Sequence, residues 1–256
     1  RHRADLNLLW ALDVDWDGKA TAPRFQQFLK EIWGNEPDYK QRVSFIQEWL
    51  SYLILNSSCF ERFLWMVGKG ANGKSVLLKI MRALVGTENV SHAMLERLGR
   101  PAVRAELDGK LLNISSEISV NASLADGYLK AIVSGETIEA ERKYHPSFSF
   151  TPTVKLVAAT NELPKLLDRS NGFGRRAVIL TFNHTIPVKD RDPNLADQII
   201  EHELQGVLKF AVDGLIRLMS RGHFQTPSSS DKELQIYRES ADVVGLFVAE
   251  CLDVGK

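Results

Sequence analysis

The chain has 256 residues, 44% hydrophobic and 25% charged, the composition of an ordinary globular protein long enough to bury a sizeable core. Its 32 basic residues balance 32 acidic ones, so no overall basic field announces nucleic acid, although a protein gripping DNA only in a narrow channel needs none. The two cysteines, Cys59 and Cys251, lack metal-ligand spacing and make no disulfide framework, and no apolar run approaches the ~20 residues of a membrane span, so a reducing cytoplasm is the expected compartment.

Residues 1–22 are mixed and read as a loop closing at Pro23. The opening Arg1-His2-Arg3, without Met, suggests a piece of a longer protein. Phe25, Phe28, Leu29 and Ile32 recur at helical spacing until Gly34-Asn35 stops them. A second amphipathic helix is predicted over 39–55, with Val43, Ile46, Trp49, Leu50 and Leu53 on its apolar face. This helical segment either packs on the core or offers a surface to a neighbouring subunit. Residues 63–67 form a short apolar run, enough for one buried strand.

Gly68 to Ser75, GKGANGKS, follows at once and fits G-x-x-x-x-G-K-[ST] without mismatch. The next apolar residues, Val76, Leu77, Ile80, Met81 and Leu84, have helical spacing. Strand, glycine loop and helix are the context that makes this pattern a phosphate cradle. Gly68, Gly70 and Gly73 let the backbone of Lys69, Ala71 and Asn72 curl until its N–H groups face a phosphate. Lys74 would reach the β- and γ-phosphates of ATP, the Ser75 hydroxyl would ligate Mg²⁺, and the helix N-terminus up to Val76 adds its positive dipole end.

Further on, a short strand is expected over 89–95 and helix over 96–107, broken by Gly99 and Pro101. KLLNISS, 110–116, is a buried strand pattern ending at Glu117. A helix is expected over 123–133. Two short alternating runs, 137–141 and 147–151, flank Arg142-Lys143-Tyr144-His145-Pro146 and predict a hairpin. Strands follow over 154–160, ended by Asn161, and over 177–182, introduced by Arg175-Arg176. A long helix is predicted over 194–219, then a polar linker, HFQTPSSS. Ser230-Asp231-Lys232-Glu233 has the form of a capping box opening a last helix.

Strands alternating with helices behind such a loop argue for an α/β fold, a parallel sheet flanked by helices on both faces. Polar residues at strand ends then converge on the phosphate. Hydrolysis there needs a base, a polar group to orient water and a cation for the transition state; Glu117, Asn161 and Arg176 supply one of each. At the hairpin turn, Arg142, Lys143, Tyr144 and His145 combine cations that pair with phosphates and a ring that stacks on bases.

In this order of motifs the chain resembles the superfamily 3 helicases, AAA+-type motors of viruses, phages and plasmids, and within them the helicase portion of the phage and plasmid primase–helicase family. The residues that carry the resemblance are GKGANGKS, the stretch LKAIVSGETIEAERKYHPSFSFTPTVKLVAATNELP and GRRAVILTF. The resemblance implies an AAA+-like P-loop core over 58–222, a small helical segment over 1–57 before it, and a linker with the start of a C-terminal helical domain over 223–256. It further implies an ATP- and Mg²⁺-dependent, hexameric DNA helicase that moves 3′→5′ on single-stranded or forked DNA; whether a primase domain lies upstream in the full-length chain is left open. An assembly or origin-binding module that oligomerises on ATP without unwinding is the alternative. Site roles follow position by position: Lys74 and Ser75 for phosphate and Mg²⁺, Glu117 as catalytic carboxylate, Asn161 as γ-phosphate sensor, Arg176 as an arginine finger acting in trans on ATP bound by the next subunit, with Arg175 as the alternative, and Lys143 at the tip of a DNA-tracking hairpin. Ser116 stands where many ATPases carry an Asp beside the catalytic Glu, so contacts around Mg²⁺ would differ here.

Overall fold

Buried apolar runs become strands, and their register decides where each site residue goes. The computed structural model describes residues 10–116, 118, 124, 126–164 and 171–241. The strands are β1 (Phe63–Val67), β2 (Val90–Ser91), β3 (Leu112–Ser116), β4 (Ile138–Ala140), β5 (Phe148–Phe150), β6 (Lys155–Thr160) and β7 (Ala177–Thr181). Five of them form one sheet in the order β2-β3-β6-β1-β7, with every pair parallel. The other two, β4 and β5, make the predicted antiparallel hairpin, with Ile138 opposite Phe150. The helices are α1 (Pro23–Trp33), α2 (Tyr39–Leu53), α3 (Lys74–Val85), α4 (Pro101–Arg104), α5 (Asp126–Ser134), α6 (Asn171–Arg176), α7 (Leu195–Arg221) and α8 (Ser228–Ala241). None of the described helices is long and apolar enough to cross a membrane.

Successive strand residues face opposite sides of a sheet, and β1 shows it directly. Leu64 and Met66 join the core beneath α1, α2, α3 and α7, whereas Phe63 and Trp65 join the core shared with α5, the hairpin and α8. Helices therefore cover both faces, as an all-parallel sheet requires. The mixed α/β fold is P-loop NTPase-like. Both helices before β1 pack on the first core: Phe25, Phe28, Ile32, Phe45, Trp49 and Leu53 are fully buried. Fully burying side chains of this kind contributes about 1.5–3 kcal/mol each.

A buried polar network fixes α2 to the end of β7. The Arg42 side chain is wholly buried; its Nε donates to Asp38 Oδ1 at 2.7 Å and its Nη1 to Thr181 O at 2.6 Å. The Trp33 indole N–H donates to the same carbonyl at 3.0 Å. Asp38 also receives the Ser229 backbone N–H at 2.9 Å, which draws the start of α8 into the network.

Two expectations need correction. The strand expected over 89–95 shrinks to Val90–Ser91 because the buried Asn113 side chain takes over its ladder: Oδ1 accepts from Ala93 N at 2.8 Å and Nδ2 donates to Ala93 O at 3.0 Å. Residues 96–107 are helical in pieces with the break at Gly99, the turn Leu95–Arg97 before it and α4 running on into the turn Ala105–Leu107 after it. The last helix starts at Ser228, not at a capping box on Ser230, whose hydroxyl instead accepts the Ile179 backbone N–H at 3.0 Å. The stretch read as a polar linker is also anchored: Phe224 is buried among Phe45, Trp49, Tyr52 and Phe60, at ring separations of 5.4–6.0 Å.

Helix α7 approaches the chain entering α1 so closely that a Cβ on Gly206 would lie 2.1 Å from Thr21 O. That neighbour is backbone and cannot swing aside. Gly206→Ala should therefore lower unfolding free energy by about 1–3 kcal/mol, the usual cost of forcing atoms into a packed site. Urea titration would detect this, and an unchanged midpoint would mean that α7 is not held at this distance.

Candidate functional site

The glycine loop leaves the C-terminal end of β1 and enters α3 at Lys74. Three residues in it have left-handed backbone: Gly70 (φ +101), Ala71 (φ +48) and Gly73 (φ +91). At Gly73 glycine is needed twice over. Besides its φ, a Cβ would lie 2.7 Å from Ile32 and 2.9 Å from Phe28, so α1 presses directly on the start of α3. At Gly68 a Cβ would collide with Phe182 O at 2.5 Å. The Asn72 amide donates to that same carbonyl at 3.0 Å, and Ile186 N donates to Ala71 O at 2.8 Å, so the loop is held by the chain that follows β7.

Lys74 is largely buried and folds back on the loop, donating to Gly68 O and, at 3.2 Å, to Asn72 Oδ1. Burial lowers its pKa from the ordinary lysine value. An anion in the loop would reverse that shift, because an opposite charge favours the ammonium form. Ser75, next in the chain, and Lys69 are exposed.

A cavity of about 330 Å³ opens in front of the loop. Residues 70–76 form one wall, and Asn161 stands on it as well. The register explains why: Val67 pairs with Thr160, and Gly68 N donates to Thr160 O at 3.1 Å, so the residue after β6 emerges beside the loop. On the far side of β6, Ser116 pairs with Ala159, bringing the end of β3 to the same sheet edge. Glu117 itself lies outside the described residues.

The opposite cavity wall was not foreseen from sequence. It comes from Arg24 and Glu31 on α1, from Ile186, Asp190 and Arg191 between β7 and α7, and from Leu195 at the start of α7. Arg24 pairs with Glu31 at 3.1 Å, and the Arg191 side chain donates to Ile186 O at 2.9 Å. No local pattern marks these residues; the fold brings them together from more than 150 positions apart in the chain (186 − 31 = 155).

Arg175 and Arg176 are not at this edge: flanking a strand does not bring them to the loop of their own chain, and a finger expected to act on the nucleotide of the next subunit does not require it. Ala177 pairs with Phe63, so they stand at the N-terminal edge of the sheet, whereas the loop leaves the C-terminal edge. At roughly 3.3 Å per residue, the length of β1 separates the two edges by about 13 Å. Arg175 is exposed, whereas Arg176 is half-buried and pairs with Glu61 at 3.0 Å.

The hairpin turn projects into solvent. Residues 141–147 are all exposed, and Tyr144 is 89% exposed with φ +66. Arg142 pairs with Asp108 at 2.7 Å and lies 4.8 Å from the Phe148 ring centre; Lys143 Nζ lies 4.8 Å from the Tyr144 ring centre. The base of the hairpin is rigidly held: the buried Arg104 donates to Glu139 O at 2.7 Å and to Leu98 O at 2.9 Å. A firm base carrying an exposed cationic and aromatic tip, His145 included, is chemically fit to touch a polyanion.

A family model described as a family of unknown function (DUF5906) matches residues 66–176. Putative helicase L207/L206 of Acanthamoeba polyphaga mimivirus is 27% identical over 178 residues, 67% of this chain and 18% of that protein. Putative helicase 121R of Invertebrate iridescent virus 3 is 24% identical over 188 residues, 69% of this chain and 20% of that protein. The chain thus spans about a fifth of the length of these viral relatives. An uncharacterized mitochondrial protein, ymf21 of Marchantia polymorpha, is 34% identical over 79 residues, covering 31% of this chain and 42% of that protein. Among solved structures, the apo NrS-1 C-terminal region (305–718) superposes with a TM-score of 0.65 at 14% identity, covering 92% of this chain and 55% of that one.

Proposed function

We propose that this chain is the motor of an ATP-driven DNA helicase of the superfamily 3 type, serving replication of a virus, phage, plasmid or similar mobile element. The similarity to viral proteins named as helicases supports the helicase-like reading. The observation that carries the mechanism is the division of the site between two edges of one sheet. Lys74, Ser75 and Asn161 line one cavity at the C-terminal edge, while Arg176 stands at the opposite edge. A chain so built brings its loop and its arginine to the same nucleotide only by lending the arginine to a neighbour. A ring of copies, a hexamer by family resemblance, satisfies that requirement.

In this reading ATP enters the cavity with its phosphates on the loop N–H groups, and Lys74 turns from Gly68 O to the β- and γ-phosphates. The exposed Ser75 hydroxyl and the Glu117 carboxylate are hard oxygen donors of the kind Mg²⁺ takes, and Ser75 lines the cavity next to Lys74, so the residues fit the ion. Bound there, Mg²⁺ would neutralise phosphate charge. Glu117 accepts the proton of the attacking water, Asn161 orients that water against the γ-phosphate, and Arg176 of the adjacent copy stabilises the charge that develops. The hairpin tip would contact single-stranded DNA in the ring channel.

The test is phosphate release with and without single-stranded DNA, together with light scattering in a non-hydrolysed ATP analogue. DNA-stimulated turnover and nucleotide-dependent rings are expected. Rings without turnover would favour an assembly or origin-binding module instead. Lys143→Ala should weaken DNA binding and unwinding for all sequences alike and reduce the slope of log affinity against log salt by about one ion. Fluorescence anisotropy across a salt series measures it; unchanged affinity and slope would return the hairpin tip to an ordinary solvated turn.

A further inference from the structure

The arginine at the far edge of the sheet sits in a built seat. Arg176 Nη2 lies 3.0 Å from Glu61 Oε2. The same guanidinium donates to Ser134 Oγ, from Nε at 3.0 Å and from Nη2 at 2.7 Å. Ser134 closes the triangle by donating its own proton to Glu61 Oε2 at 3.2 Å. The three residues come from three elements: Glu61 from the turn leading into β1, Ser134 from the last residue of α5, and Arg176 from the last residue of α6.

The turn that presents Glu61 has an unusual backbone. Glu61 has φ +47, in the left-handed region that residues with a Cβ seldom enter, and its N–H donates to Ser58 O at 2.9 Å. Gly135, next to Ser134, is also left-handed (φ +67), and a Cβ there would lie 3.1 Å from Ser58. Two turns of left-handed backbone are thus packed together under one guanidinium. Backbone held out of its usual basin is a feature of sites where geometry is used. The carboxylate is half exposed, with a side-chain accessibility of 51% against 15% for Arg176, so the seat opens at the surface.

We infer that Glu61 is a positioning residue for Arg176: with Ser134 it fixes the guanidinium at the surface, ready for the nucleotide of an adjacent copy. This rests on the proposed function. The physical reason is entropic. Arginine has a long, freely rotating side chain, and a cation stabilises a transition state most when it is already in place and requires no reorganisation. The planar fork allows Nε and Nη2 to be held from one side without loss of charge. A carboxylate and a hydroxyl acting together select one rotamer, which neither contact does alone.

The experiment uses the full chain with Glu61→Gln and, separately, Glu61→Gly, which suits the left-handed backbone and keeps the turn relaxed. Both should bind ATP with wild-type affinity, because their own cavity is at the other sheet edge. Both should lose about 10–100-fold in kcat, the scale expected when a reacting group is misplaced by an ångström or so. Mixing either with Lys74→Ala protein should restore turnover, since the defect would act across the interface. Adding Arg176→Ala to Glu61→Gln should lower kcat no further than Arg176→Ala alone. Wild-type kcat in both Glu61 variants, with Arg176→Ala inactive, would overturn this inference and leave the proposed function standing. A loss that mixing fails to restore, although Arg176→Ala is restored, would make Glu61 a merely structural residue. Wild-type turnover by Arg176→Ala would instead overturn the finger assignment beneath it.

Discussion

Lys74→Ala should abolish turnover and weaken nucleotide binding. The ammonium is the cation fixed within the glycine loop, where it now rests on Gly68 O and Asn72 Oδ1. Those partners are neutral, so a phosphate with its negative charge is the stronger attraction and draws the side chain forward. Burial already lowers the lysine's pKa, which means the loop's own groups under-compensate the charged form. An alanine removes that charge and leaves the phosphates facing loop N–H groups alone. Removing one preorganised group aimed at developing charge costs about 10²–10³ in kcat, and here ground-state binding is lost as well. The fold should survive, because Gly73 keeps its contacts with Phe28 and Ile32 and the rest of α3 keeps its buried face. Phosphate release and binding of a fluorescent nucleotide, with unfolding by urea as control, measure the three effects. Turnover at the wild-type rate would remove the loop from the mechanism.

How far the sequence announces such a site depends on how local the interaction is. The strand at 63–67, the loop at 68–75 and the following helix are contiguous, and each is written in a short pattern of apolar spacing and glycine. The hairpin is legible for the same reason, because Thr137–Thr151 is one local unit whose two threonine hydroxyls meet at 2.9 Å. Asn161 could be placed beside the loop once the sheet was taken as parallel, since both follow strand C-termini. Arg176 could not be placed by the same rule, because it precedes its strand and parallel register sends it to the other edge. Ser230 misled because its Ser-x-x-Glu spacing is also compatible with a residue whose hydroxyl serves a strand, as it does for Ile179. Phe224 lay in a polar stretch, and only the aromatic pocket built by α2 gives it a place. The wall formed by Arg24, Glu31 and Arg191 has no sequence signature, since it exists only where α1 meets the chain after β7. Patterns of period two and 3.6 report which face is buried; they say nothing about which distant polar residues the burial brings together.

The last expected result concerns Arg176. Arg176→Ala should retain ATP binding and lose hydrolysis, because its side chain lies at the sheet edge opposite the loop of its own chain. An arginine supplied to a transferring phosphoryl group contributes about 10³–10⁵ in rate. Such a loss, with affinity unchanged, is the mark of an interaction made only in the transition state. Mixing supplies the sharper test. Lys74→Ala subunits keep their arginine, and Arg176→Ala subunits keep their loop, so a mixed ring contains some interfaces where an intact loop faces an intact arginine. Turnover should therefore partly return on mixing two inactive proteins. Rings proven mixed by mass and still inactive would argue against donation in trans. The comparison with Arg175→Ala decides between the two neighbours. Arg175 is exposed, whereas Arg176 is held by Glu61 and Ser134, so the preorganised side chain is Arg176. Only the true finger should combine bound ATP, lost turnover and rescue by mixing; if Arg175→Ala shows all three and Arg176→Ala does not, the seat at Glu61 holds a structural arginine and the finger is its neighbour.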